Sequence, residues 1–144
     1  MSAKDPFGRL VDLVLGGGGH RSVWGQHQRS ASRGFDERGF RKALREYWGA
    51  DADPMRVSLA VQDAVFVAGV VHMVNETLGL STDDQRRVAA AVVRRRLLGE
   101  ADPSLDDVED AWSMWWPPPP GDDGRMLFAH FLGAWRSWLA TSTP

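Results

Sequence analysis

Apolar residues recur along this chain at the three- and four-residue spacing of helix faces, in blocks set off by glycine, proline and short capping side chains. Phe7, Leu10, Val11 and Val14 share one face and predict a first helix from Pro6 to Leu15. Asp5 is its N-cap and Pro6 its first helical residue, where a missing N–H costs nothing. The second helix opens at Asp36, with Phe35 and Phe40 placed as a hydrophobic staple. Its stripe is Phe40, Ala43, Leu44 and Tyr47, and Gly49 ends it. Asp53 and Pro54 repeat the capped start for a long run to Leu78, with Gly79 as its stop. Val57, Leu59 and Val61 alternate and Val65–Val74 is rich in β-branched residues, which a strand would also show. The length of the run favours a helix, and being apolar nearly all round it belongs at the centre of a bundle.

Ser81 with Asp84 forms a capping-box pattern for a fourth helix, Thr82 to Leu98, closed by Gly99. Ser104 with Asp107 repeats it for a fifth, Leu105 to Trp115. There Leu105, Val108, Trp112 and Trp115 face inward while Asp106, Asp107, Glu109 and Asp110 face out. Four prolines end it and push Trp116 toward an extended conformation. Residues 117–124 then read as a proline- and glycine-rich linker before a last helix from about Arg125 to Ala140. Residues 17–34 have neither periodicity nor an acidic side chain, so a flexible basic loop or arm is expected there. The whole predicts an all-α, single-domain bundle of five or six helices around the apolar helix at about 54–78.

Composition narrows the chemistry. A chain of 144 residues suits one domain, burying about 68–70% of its unfolded surface without staples. With no cysteine there are no disulfides, thiol nucleophiles or cysteine-ligated metals, which fits a reducing compartment; a cytoplasmic location is expected. The first 19 residues carry Lys4, Asp5, Arg9 and Asp12 and lack the pattern of a secretory signal. Arg56, Gln62, Asp63, His72, Asn75 and Glu76 interrupt Met55–Leu78, making it a poor membrane span.

Charge is graded along the chain. Residues 1–50 hold nine basic and five acidic side chains, residues 51–98 six of each, and residues 99–144 two basic and eight acidic. Opposite poles on a small protein favour contact within a molecule or between copies. The acidic set, Asp106, Asp107, Glu109 and Asp110, is therefore a candidate partner-binding surface, together with Trp24 and Trp116, two tryptophans hard to bury by pattern.

A second possibility is phosphate contact without sequence reading, through Arg21, Arg29 and Arg33 of the arm and Arg86, Arg87, Arg94, Arg95 and Arg96 of the fourth helix. A helix-turn-helix made of helices four and five is disfavoured, because the helix that would enter the groove is acidic. A third is a small-ligand or enzyme site at His72 and Glu76, four apart on one face, joined by His130. Two or three such groups without an H-E-x-x-H pattern make no metal site, and a half-buried histidine with a local partner is the plainer expectation. His20 and His27 have no ligand company, the glycine run lacks the phosphate-loop signature, and Asp63, set in an apolar run, is the best candidate for a buried carboxylate. The expectation is a non-catalytic helical interaction or assembly protein, without cofactor, that binds a protein partner or its own copies.

Overall fold

A computed structural model of the chain describes residues 5–16 and 35–141. Arg21, Trp24, Arg29, Arg33, His20 and His27 lie outside the described residues. Among those described there are six α-helices and no strand, as the all-α expectation requires. They are α1 (Pro6–Gly16), α2 (Glu37–Trp48), α3 (Pro54–Leu78), α4 (Thr82–Val92), α5 (Asp106–Trp115) and α6 (Gly121–Thr141). They fall into two compact units, Met1–Glu100 and Ala101–Pro144.

In the N-terminal unit α3 touches α1, α2 and α4, and α1 touches α2 and α4 as well. Val57 and Val61 are buried while Leu59, between them, is exposed, so helical phase and not strand alternation governs the run. Ala60, Ala64, Ala68 and Gly69 let neighbouring backbones approach, and Val67, Val70, Val71 and Val74 fill the core. By length and composition α3 would span a bilayer, but most of its apolar window is buried within the fold. Asp63 is exposed and is not a buried carboxylate.

The caps follow the sequence. Asp36 Oδ1 accepts from the Gly39 N–H at 2.8 Å, and the Phe35 and Phe40 rings meet at 5.3 Å to complete the staple. Asp53 accepts from the Met55 N–H at 3.0 Å, and Ser81 Oγ from the Asp84 N–H at 3.2 Å. Gly79 adopts φ +60° and closes α3 in the left-handed conformation that glycine tolerates best.

The fourth helix departs from the expected single α-helix. After Val92 it widens into a π turn over Val93–Leu97, with the Leu98 N–H donating to the Val93 carbonyl at 2.9 Å. Val92 with Leu97 and Val93 with Leu98 are apolar pairs five residues apart, and all four are buried. A turn closing at five residues holds both pairs on one face, which a 3.6-residue period would splay.

The C-terminal unit is α5 packed against α6. Two boundaries differ from the sequence expectation. Ser104 is not the N-cap of α5: Asp102 caps a 3₁₀ turn over Pro103–Leu105, accepting from the Ser104 N–H at 3.1 Å, and the α-helix starts at Asp106. The carboxylate one residue before the proline holds that turn more readily than a hydroxyl two residues later. Residues 121–124 belong to the helix instead of the linker, since α6 begins at Gly121. Asp122 and Asp123 sit in its first turn, where the helix dipole favours negative charge. Gly124 is buried against the Pro119 carbonyl, so a side chain there would collide with backbone. The core joins Trp112, Trp115, Phe131, Leu132 and Trp135; Trp115 and Phe131 stack at 4.8 Å and Trp135 meets Phe131 edge-on at 6.4 Å.

Candidate functional site

Among the described residues, most arginines of the fourth helix are paired within their own unit. Of the arginines on the fourth helix, Arg86 lies 2.6 Å from Asp12 of α1 and Arg87 lies 2.9 Å from Asp84 of its own first turn. Arg94 approaches Glu100 at 3.6 Å and stacks over the Phe7 ring at 4.1 Å. Arg95 is half-buried, its Nε enclosed without an acceptor. Three of the five arginines there thus meet a carboxylate of their own unit, and such pairing lowers the local potential that would attract a phosphate.

A different row of cations stands open on α2. Arg38, Arg41, Lys42 and Arg45 fall at helical spacing on the side away from the buried Phe40, Ala43 and Leu44. They line a shallow cavity of about 520 Å³ whose walls Glu46, Gly49 and Ala50 complete. Arg41 donates to Ser58 Oγ at 3.2 Å, and Glu46 is paired with Arg9. Within the N-terminal unit, no described carboxylate pairs with Arg38, Arg41, Lys42 or Arg45. The spacing was legible as the polar complement of the Phe40–Tyr47 stripe.

The matching anionic surface is on α5. Asp106, Asp107 and Asp110 are exposed, and none has a cationic partner within the C-terminal unit among the described residues. Asp107, Asp110 and Met114 share one stripe of the helix, and Met114 is 54% exposed. Glu109 is less exposed and lies off that stripe. Trp116 is half-buried and extended, with its ring edge-on to Trp115 at 5.6 Å.

His72 and Glu76 meet as their spacing implies, Nε2 to Oε2 at 2.9 Å, with the imidazole mostly buried and the carboxylate exposed. Beside them Asn75 is 5% exposed, and its Oδ1 accepts no hydrogen bond. These three and Gln85 line a cavity of about 250 Å³ whose apolar wall is Val14, Leu15 and Val71. In the sequence Asn75 reads as a polar interruption of an apolar run, and the signal that marks it is its place three residues from His72 and one from Glu76. His130 belongs to the C-terminal unit, where it is exposed on α6. No group of three or more potential metal ligands occurs among the described residues.

The one tyrosine ties α2 to the end of the N-terminal unit. Its hydroxyl donates to Glu100 Oε2, and that bond holds the phenol's pKa above the usual tyrosine value. Burial and the negative charge of Glu100 act in the same direction, opposed by Arg94. Comparison of the chain with protein-family models, with curated proteins and with solved structures finds no match.

Proposed function

We propose that this chain is a small non-catalytic interaction module that assembles with its own copies, the basic face of α2 on one copy receiving the acidic stripe of α5 on the next. One observation carries this reading: with Arg86, Arg87 and Arg94 committed to carboxylates, the α2 row is a group of four cations with no carboxylate partner among the described residues of its unit. The charge of the two units supports it, fifteen basic against twelve acidic residues up to Glu100 and two against seven beyond.

Exposed ion pairs contribute about 0–1 kcal/mol each, so charge sets orientation and rate while apolar contact supplies affinity. Met114 at the end of the acidic stripe, and the aliphatic stems of the α2 arginines, provide such contact. A head-to-tail contact of this kind joins unlike surfaces, and so builds rings or open chains of copies.

Light scattering at low and high salt tests the reading. The mass should exceed one 16.0 kDa chain at low salt and fall toward it as salt rises. A single-chain mass at every salt concentration contradicts it. Association that requires added nucleic acid would assign the α2 face to phosphate instead.

A further inference from the structure

The shallow cavity on α2 concentrates positive charge over a short length. From Arg38 to Arg45 the helix rises about 10 Å, and within that length Arg41 and Lys42 complete a set of four cations around a space of about 520 Å³. The one carboxylate of the lining, Glu46, is paired with Arg9 of α1 and so does not neutralise them. The last carbonyls of α2 lie at the same end, where the Gly49 N–H donates to the Arg45 carbonyl at 2.9 Å. A helix C-terminus carries about half a negative charge, which four full positive charges outweigh.

Guanidinium forks match phosphate oxygens two at a time, and the lysine adds a point charge. None of the described lining residues is aromatic. Sites that hold nucleic-acid bases stack them on aromatic faces, so base recognition has no platform here. We propose that this cavity binds a small anion of two or three linked phosphates, recognised through its phosphates alone. Bound there, the anion occupies the face that receives the acidic stripe of α5 and so disperses the assembly. That second effect rests on the self-association proposed above; the binding itself does not.

Calorimetric titration with inorganic triphosphate tests the site. The full chain carries Asp106→Asn, Asp107→Asn and Asp110→Asn, so that association through α5 does not intervene. One saturable site per chain is expected, weakening as salt rises. Arg38 and Arg45 are exposed, and Arg38→Gln or Arg45→Gln should weaken binding about tenfold with the fold intact. Arg86→Gln, outside the cavity, should leave it unchanged. Adenosine triphosphate should bind as inorganic triphosphate does, and orthophosphate at least about tenfold more weakly. At constant ionic strength, saturating triphosphate should bring the wild type to single-chain mass. An assembled wild type that binds triphosphate and keeps its mass would overturn the competition. A wild type that is single before triphosphate is added, yet binds it, would refute the assembly and support the site. No saturable binding by calorimetry or by phosphorus resonance shifts would overturn the site. So would equal weakening by Arg86→Gln, or tighter binding of adenosine triphosphate or of a single-stranded oligonucleotide than of triphosphate.

Discussion

The guanidinium of Arg86 reaches from α4 to the carboxylate of Asp12 on α1, 2.6 Å away, and closes a contact between residues 74 positions apart. Both side chains are partly exposed, so the pair contributes little energy. Its consequence is electrostatic: it removes from α4 a charge that the sequence alone would leave free. Reversing that charge, Arg86→Glu, should cost no more than about 1 kcal/mol of stability and leave self-association in place. The triple reversal Arg38→Glu, Lys42→Glu and Arg45→Glu on α2 should reduce the low-salt mass to one chain. Light scattering of the two proteins side by side checks the contrast; equal loss from both would mean that α4, too, is a contact surface.

Two glycines of α6 should respond oppositely to the same substitution. Helix-interior glycine is about 1 kcal/mol less favourable than alanine, and Gly133 has open space where a Cβ would go. Gly133→Ala should therefore stabilise the protein by up to about 1 kcal/mol. Gly124 faces the Pro119 carbonyl, so Gly124→Ala should destabilise despite its better propensity. Urea denaturation of both variants decides the matter, and a stabilising Gly124→Ala would show that the proline corner does not hold the start of α6.

Tyr47 gives stability an alkaline limb. Its folded pKa is raised by the bond to Glu100, so above about pH 10 the unfolded chain releases the phenol proton first. The stabilisation is complete below that pH and is lost as pH rises through the folded value. Urea midpoints between about pH 9 and 11 should fall more steeply for the wild type than for Tyr47→Phe. Phenolate absorbance reports this group alone, because the chain has one tyrosine. Parallel alkaline limbs would contradict the hydrogen bond.

Local features of this fold were legible in the sequence because their causes are local. Asp36, Asp53 and Ser81 each accept from a backbone N–H two or three residues on, and Phe35 meets Phe40 through one helical turn. His72 and Glu76 pair for the same reason. Boundaries were less legible where competing signals sit close together, as when Asp102 takes the cap expected of Ser104, or where residues 121–124 read as part of a proline- and glycine-rich linker and fold as helix. Partnerships between distant segments were not legible at all. Periodicity tells which side of α4 is polar, but not that Asp12 and Glu100 wait opposite Arg86 and Arg94. Nor does it reveal that Asn75 is enclosed, since burial depends on the Val14 and Leu15 end of α1 reaching the same cavity.

The most direct test of assembly through unlike charged faces is a mixing experiment with two reversed proteins. One carries Arg38→Glu, Lys42→Glu and Arg45→Glu; the other carries Asp106→Lys, Asp107→Lys and Asp110→Lys. Each alone should sediment as a single chain at low salt, since its remaining pole meets only like charge. Mixed in equal amounts they should associate again, because each altered face then finds its complement. If both proteins stay single when mixed, or either associates alone as the wild type does, the α2 and α5 faces are not what joins the copies.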